Sequence, residues 1–225
     1  DDIKRFLALT IPLMNHAPTK AVTVLDRLWL WAMPVNAIQK AVEFRELRWP
    51  DSKITAAQAM SRTGIRNVFM AGGFSIDDQT LRSLAAAKRI ICKWQLHEGK
   101  RLNYSALAER VLAAKRLAAK DTRIEAFLLD DFSTGSMSAG ASSEVLARLQ
   151  YTNATAFPQL PLLVTIYTMS LRRKGLRGLL RYFDHLLVPQ WHAADIKSFP
   201  SLLERCAKLS GDKPMLACLY FYDFG

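Results

Sequence analysis

Short apolar segments recur along this 225-residue chain, and most of them are separated by segments with helical periodicity. The apolar segments do not alternate with polar residues, which is typical of strands that are covered on both faces. Strands that alternate with helices in this way pair in parallel through right-handed crossovers. The predicted strands are residues 27–33 (RLWLWAM), 67–71 (NVFMA), 89–94 (RIICKW), 126–130 (AFLLD), 162–167 (LLVTIY), 185–189 (HLLVP) and 215–222 (MLACLYFY).

Amphipathic patterns between these segments predict the helices. The clearest is residues 104–120 (YSALAERVLAAKRLAAK), with Asn103 or Ser105 as the candidate N-cap. Residues 55–63 are followed by Gly64, which is typical of a helix that ends in a left-handed residue. The remaining patterns are shorter and cover residues 142–149, 174–182 and 198–209.

This repeated β-α pattern favours an α/β fold, a (β/α)8 TIM-type barrel, over a doubly wound sheet. A complete barrel has eight strands, and the seventh predicted strand lies at the end of this chain. We expect that the last βα unit is missing or, as the second choice, that residues 6–13 (FLALTIPL) fill the eighth place. No repeat marks a domain boundary, so residues 1–225 are interpreted as one barrel domain, truncated at its C-terminus.

The chain is basic, with a formal net charge of +11. Its basic residues are spread over predicted helices, so a solvated helix face is the first explanation and a polyanion contact the second. No nucleic-acid-binding fingerprint accompanies the charge, and we expect no nucleic-acid partner. The densest cluster consists of Arg172, Arg173, Lys174, Arg177 and Arg181.

Cysteine spacing and apolar run length exclude other classes. Cys92, Cys206 and Cys218 contain no CxxC pair and predict free thiols rather than a disulfide framework or a zinc site. The longest apolar run is interrupted by Asp26 and Arg27, so no membrane span is predicted. No signal peptide is visible and the chain does not begin with Met, which leaves the localisation open and includes export of a processed form.

Residues that suit a sugar site follow the predicted strands, where the chemistry of a barrel lies. Aromatic rings stack on sugar faces, while carboxylates and amides bind hydroxyl groups. We therefore predict a saccharide site without a cofactor or a metal, although core packing is an equal alternative for Trp94 and Trp191. The substrate-binding candidates are Trp31, Trp94, Tyr167, Gln190, Trp191 and Tyr222, and the catalytic candidates are Asp131, Asp223 and Asp130.

Two adjacent aspartates follow the fourth predicted strand. Neighbouring side chains on a strand point to opposite faces, so only one of Asp130 and Asp131 should face the barrel mouth. Asp131 is nearer the loop and is predicted to be that residue, with Asp223 across the site as the second carboxyl group of a glycosidase. The structural alternative pairs Asp130 with Lys93 on a neighbouring strand and makes Asp131 a cap.

Other polar candidates have simpler explanations. His97 and His192 are expected in surface loops, and a metal-dependent lyase or hydrolase built from them and the two aspartates has no HxH or HxxEH spacing to support it. Asp26 and Asp184 precede their strands and are expected at the opposite, stabilising end.

Three motifs carry a resemblance to a known family: residues 127–132 (FLLDDF), 183–191 (FDHLLVPQW) and 219–225 (LYFYDFG). In this order they resemble a family of bacterial TIM-barrel proteins of unestablished activity. That family has an L/M-D-D-F motif after strand four, two aromatic residues near strand six and Y-x-[WY]-D-[YF]-G after strand seven. The similarity covers residues 25–225 and implies an eighth strand beyond the last glycine.

A looser resemblance links the chain to chitinase-like glycoside hydrolases, which carry carboxylates at the end of strand four. Their acid is a Glu at the position of Ser133, so their substrate-assisted mechanism is not implied here. The sequence thus predicts a carbohydrate-active enzyme, most simply a glycoside hydrolase. The alternative is a non-catalytic barrel that binds a saccharide or a partner protein.

Overall fold

The computed structural model describes residues 8–12, 23–32, 54–70, 78–94, 104–130, 142–156, 158–190 and 193–220. The strands in these ranges form one eight-stranded sheet. All seven predicted strands are present, with ends within two residues of the predicted ones. The strands are β1 (Ala8–Pro12), β2 (Trp29–Ala32), β3 (Asn67–Met70), β4 (Arg89–Trp94), β5 (Ile124–Leu129), β6 (Leu162–Thr165), β7 (His185–Gln190) and β8 (Met215–Tyr220).

Within the described ranges, one α-helix lies in each connection between consecutive strands from β2 to β8. The helices are α1 (Ala56–Thr63), α2 (Asp78–Ser83), α3 (Tyr104–Lys120), α4 (Ser143–Thr155), α5 (Leu176–Leu180) and α6 (Phe199–Ser210). Thr55 forms a capping box with Gln58 at the start of α1, and Gly64 ends that helix at φ 73°. No helix in the described ranges is long and apolar enough to cross a membrane.

The sheet order is β1-β8-β7-β6-β5-β4-β3-β2, and β2 to β8 are parallel to their neighbours. Seven curled parallel strands with intervening helices form part of a (β/α) barrel, which is the coarser form of the predicted fold. β1 pairs with β8 and also lies close to β2. The N-terminal segment therefore fills the eighth strand position, as the second of the two alternatives predicted for residues 6–13. β1 is antiparallel to β8, whereas an eighth strand of a (β/α)8 barrel would be parallel.

Successive side chains on the parallel strands alternate between two apolar clusters. The outer cluster contains strand residues such as Val68 and Val164 together with helix residues such as Val111 and Leu146, so it lies between the sheet and the helices. The inner cluster contains only strand residues and therefore lies on the concave face of the sheet. Its buried members are Trp29, Phe69, Ile91, Ala126, Leu128, Leu163, Leu187 and Cys218.

Polar residues at the N-terminal ends of the strands bind backbone or a local ionic partner. The Asn67 amide donates to the carbonyl oxygens of Asp26 and Leu28, both at 2.9 Å. A carboxylate oxygen of Asp184 accepts from the backbone N–H of Leu162 at 2.8 Å. The structure therefore confirms that Asp26 and Asp184 lie at the stabilising end.

A buried lysine connects α3 to the C-terminal end of α4. Lys115 is 1% exposed, and its Nζ donates to the carbonyl oxygens of Asn153, Ala156 and Pro158, the last at 2.8 Å. These carbonyls lie at or just beyond the end of the helix, where backbone acceptors lack intrahelical partners and a positive charge is favourable. Lys115 thus caps α4 from a neighbouring helix.

Candidate functional site

Three polar side chains form a cluster at the C-terminal ends of β4, β5 and β6. Lys93 Nζ lies 2.7 Å from Asp130 Oδ2, and Thr165 Oγ1 donates to Asp130 Oδ1 at 2.7 Å. The side chains of Lys93 and Asp130 are 11% and 6% exposed, and Thr165 is buried. We call these three residues the strand-end cluster.

Strand alternation explains why the strand-end cluster faces the interior. Each member comes two residues after a residue of the inner apolar cluster, and successive strand residues point to opposite faces. The side chains therefore leave the same face of the sheet, one step closer to the C-terminal ends of the strands. The preceding inner residues are Ile91, Leu128 and Leu163.

Asp130 binds its two neighbouring strands. A buried carboxylate needs partners, and each oxygen of Asp130 has one in the strand-end cluster. The pairing with Lys93, which the sequence offered as the structural alternative, is present. Asp130 is thus an inward-facing member of the FLLDDF motif, whereas Asp131 lies outside the described residues and its orientation stays a prediction.

Aromatic side chains cover the inner face on the β2–β3 side. Trp31 stacks on Phe69 with ring centroids 5.6 Å apart and an interplanar angle of 27°. Phe69 also contacts Trp29 at 5.1 Å, in a tilted arrangement. Trp29 is buried, whereas Trp31 is half-buried and nearer the C-terminal end of β2. Of these two tryptophans, Trp31 is therefore the one closer to a ligand at the C-terminal ends of the strands.

The other predicted site residues are only partly covered by the described ranges. Tyr167 and Gln190 lie at the C-terminal ends of β6 and β7, and both are buried, at 6% and 7% exposure. Trp94 is the last residue of β4, but its side chain is not described. The predicted residues outside the described ranges are Asp131, Trp191, Tyr222 and Asp223, together with His97 and His192.

Sequence reasoning did not place Lys93 and Thr165 in the site. It considered residues beyond the strand ends, whereas both residues lie within β4 and β6. Lys93 leaves a signal, since it interrupts the apolar segment RIICKW two residues after Ile91. Thr165 leaves almost none, because threonine is common in strands.

The described residues favour neither metal nor thiol chemistry. They contain no group of three or more His, Cys, Asp or Glu side chains that could hold a metal ion. Cys92, Cys206 and Cys218 are free and buried. Burial raises the pKa of Cys92 well above its ordinary range and raises the pKa of Cys206 to about 11. Such thiols are poor nucleophiles, because the thiolate is the reactive form.

The basic residues between positions 172 and 181 form two groups. Arg177 donates to the carbonyl oxygen of Lys208 at 2.9 Å, and the Arg181 guanidinium lies 4.7 Å from the centre of the Tyr182 ring. Residues 172–174 instead lie in the connection that leads from the C-terminal end of β6 to α5.

No protein-family model and no curated protein matches the chain. Among solved structures, the chain is similar to the crystal structure of an FMN-binding beta-glucuronidase from Facaelibacterium prausnitzii L2-6, with a TM-score of 0.53 and 11% sequence identity. The match covers 80% of this chain and 26% of the glucuronidase, so the chain spans about a quarter of that protein. At this identity the likeness shows the fold alone. The bacterial family indicated by the FLLDDF and LYFYDFG motifs stays a prediction.

Proposed function

We propose that this protein is a carbohydrate-active enzyme, most simply a glycoside hydrolase, with its site at the C-terminal ends of the parallel strands. The observation that carries the proposal is the inward-facing strand-end cluster of Lys93, Asp130 and Thr165. Buried polar groups at this end of a barrel are typical of catalytic centres, whereas an interior built for stability alone is apolar. The likeness in fold to a beta-glucuronidase agrees with this class.

The proposed mechanism uses two carboxyl groups on opposite sides of the glycosidic bond. One donates a proton to the leaving oxygen, and the other attacks the anomeric carbon or activates a water molecule. We assign these roles to Asp131 and Asp223. In this mechanism Asp130 acts as a positioning residue, since Lys93 and Thr165 engage its oxygens and hold the end of the strand from which Asp131 follows.

Substrate positioning is assigned to the aromatic and amide residues at the strand ends. The indole of Trp31 is supported on one side by Phe69, which fixes its orientation before a sugar arrives. A flat, half-buried ring of this kind binds the apolar face of a pyranose. The other residues in this proposed role are Trp94, Tyr167, Gln190, Trp191 and Tyr222.

A screen of chromogenic glycosides tests the proposal, followed by Asp131→Asn and Asp223→Asn in the same chain. Each substitution should lower turnover per folded molecule by about 100-fold or more, the loss expected for a general acid or base. The melting temperature should change little. Asp184→Asn is the matched control, because Asp184 lies at the other end of the strands and binds the backbone of Leu162. It should leave turnover per folded molecule unchanged, and stability should change little, because the amide oxygen can still accept from the Leu162 N–H.

The catalytic assignment is wrong if Asp131→Asn lowers the melting temperature and leaves turnover per folded molecule unchanged. The second candidate function is a non-catalytic barrel that binds a saccharide or a protein. One observation favours it: the carboxylate described at this end, Asp130, is occupied by Lys93 and Thr165. Saccharide binding without hydrolysis, with the Asp131 and Asp223 carboxyl groups outside a separation of about 5 to 10 Å, would support this alternative.

A further inference from the structure

We propose that Lys93 is a nucleophile that forms a Schiff base with a small aldehyde or ketone, and that Asp130 carries the protons of that step. This activity goes beyond the proposed function and does not rest on it, because it uses the strand-end cluster and neither Asp131 nor Asp223. Three observations carry it: the position of the lysine, the carboxylate that contacts its ammonium group and the burial of both side chains.

The first observation is the position of Lys93 in the sheet. It comes two residues after Ile91, a residue of the inner apolar cluster, and directly before the last residue of β4. Its side chain therefore leaves the inner face of the sheet close to the C-terminal end of the strand. The reactive groups of barrel enzymes lie at this end of the strands.

The second observation is the carboxylate beside the amine. An ammonium group is not a nucleophile, so a lysine that attacks a carbonyl carbon first gives a proton to a base. Asp130 Oδ2 lies 2.7 Å from Lys93 Nζ, the distance of a charge-assisted hydrogen bond along which that proton can move. Thr165 Oγ1 donates to the other carboxylate oxygen at 2.7 Å and holds the carboxylate in this orientation.

The third observation is the burial of the pair. The side chains of Lys93 and Asp130 are 11% and 6% exposed. Burial disfavours both charges, which brings the uncharged pair of amine and carboxylic acid closer in free energy to the ion pair. Low access of water also protects a Schiff base from hydrolysis. The exposure that Lys93 retains limits its carbonyl partner to a small molecule.

The step forms one C–N bond and releases one water molecule. Lys93 Nζ gives a proton to Asp130, and the neutral amine attacks the carbonyl carbon. A proton then moves from the nitrogen to the former carbonyl oxygen, which gives a carbinolamine. Asp130 gives its proton to that hydroxyl group, water leaves, and the nitrogen lone pair forms the C=N bond of a protonated Schiff base. No electrons are gained or lost, so the step needs neither an oxidant nor a reductant.

Three other lysines in the described ranges serve as internal controls. Lys88 contacts a carboxylate, that of Asp26 at 3.1 Å, but its side chain is 59% exposed. Lys115 is 1% exposed, but its Nζ contacts backbone carbonyl oxygens, which do not accept a proton as a carboxylate does. Lys120 is exposed at the end of α3. Lys93 differs from all three because it combines burial with a carboxylate partner.

Reductive trapping with glyceraldehyde and sodium cyanoborohydride, followed by peptide mass spectrometry, tests the inference. The added hydride reduces a Schiff base to a stable secondary amine, so the mass added to each peptide identifies the lysine that reacted. At pH 7 we expect trapping at Lys93 to be at least about tenfold faster than at Lys88 and Lys120. Lys115 should not react in the folded protein. In urea the preference for Lys93 should disappear, because it depends on the folded strand-end cluster.

Two variants separate the roles of the pair. Lys93→Arg keeps the positive charge and a contact with Asp130 but removes the amine, so the adduct in this peptide should be lost and trapping at Lys88 should not change. Asp130→Asn removes the group that accepts and returns the proton, and trapping at Lys93 should slow by about tenfold or more. Circular dichroism shows whether each variant is folded under the conditions of the reaction.

Trapping at Lys93 that is no faster than at Lys88 would overturn the inference, and so would equal trapping at Lys93 and Lys115. Trapping that is unchanged or faster in Asp130→Asn would show that Asp130 does not carry the protons. If a variant does not fold, the comparison of the four lysines within the original protein decides. None of these results affects the proposed function, because hydrolysis of glycosides is measured separately.

Discussion

Two nearly buried lysines in this molecule have different kinds of partner. Lys115 lies in the helical layer, is 1% exposed and donates to three backbone carbonyl oxygens. Lys93 lies on the inner face of the sheet, is 11% exposed and contacts a carboxylate side chain, that of Asp130. Burial is similar for the two residues, so the difference between them lies in their partners.

The partners distinguish a lysine that stabilises the fold from one in the proposed site. Burial lowers the pKa of Lys115 because the charged form loses its hydration, and the carbonyls at the end of α4 replace part of it. All three donors of Lys115 are used by backbone, which leaves none for a ligand. Among the described residues, Asp130 is the acceptor that contacts Lys93, at the end of the sheet where barrels perform chemistry.

The largest expected effect is that of Lys115→Met. Removal of the ammonium leaves three carbonyl oxygens in a place that water hardly reaches, so we expect a loss of about 3 kcal/mol in the free energy of unfolding. The melting temperature should fall by about 6 to 12 °C. Urea denaturation measures the loss directly, and turnover or ligand binding per folded molecule should not change.

Lys120→Met is the control for this substitution. Lys120 ends the same helix and is exposed, so its replacement should change stability by less than about 0.5 kcal/mol. Equal losses for the two variants would show that Lys115 does not cap α4, and the structural role given to Lys115 in this comparison would be wrong.

A smaller effect is expected for the Lys93–Asp130 pair, and a double-mutant cycle measures it. Asp130→Asn or Lys93→Met alone leaves one charge without its partner and should cost about 2 to 3 kcal/mol, less than for a fully buried pair because the Lys93 side chain keeps some exposure. The double variant should lie within about 1 kcal/mol of the original protein, because a buried pair can be replaced by uncharged groups at little cost. Additive losses would show that the two side chains do not depend on each other.

The fold was largely predictable, because each strand of this sheet is a nearly continuous apolar segment. β4 and α3 begin and end where the sequence predicts. α2, a helix of six residues, was not predicted. The antiparallel direction of β1 was also missed, since an apolar segment carries no information about the direction in which it pairs.

The site was less predictable, and the same continuous apolar strands explain why. A strand covered on both faces has no alternation that separates its inner residues from its outer ones. Whether Lys93 or Cys92 faces the interior was therefore undetermined until the sheet was seen. Lys115 did leave a signal: it lies on the stripe of Val111 and Ala118, which are buried, and a lysine at such a position requires a buried partner.

Part of the basic character of the chain serves helix ends rather than ligands. Arg123 donates to the carbonyl oxygen of Leu84 at 2.6 Å and to that of Leu81 at 3.3 Å, near the end of α2. Arg177 does the same for Lys208 near the end of α6. Together with Lys115, these cations bind carbonyls that helices leave without partners. The net charge alone therefore does not indicate a polyanion-binding surface.

The smallest expected effect concerns Arg123, which binds carbonyl oxygens near the end of α2 and is itself held by a titrating group, Asp121. Lys115 binds the end of α4 through carbonyl oxygens that do not titrate. Asp121 holds the Arg123 guanidinium at 2.5 Å, and this hydrogen bond lowers the pKa of Asp121 below its ordinary value of 3.8. Near that pH the unfolded chain binds more protons than the folded protein, so the stabilisation is present above about pH 5 and is lost as the pH falls through the folded-state pKa. Asp121→Asn should cost about 1 kcal/mol at pH 7, and the difference should shrink below pH 3. The loss caused by Lys115→Met should persist at low pH, because backbone carbonyls do not titrate.

Urea denaturation of both variants between pH 7 and pH 3 measures this difference. A cost of Asp121→Asn that does not change with pH would show that Asp121 does not hold Arg123 through its charge.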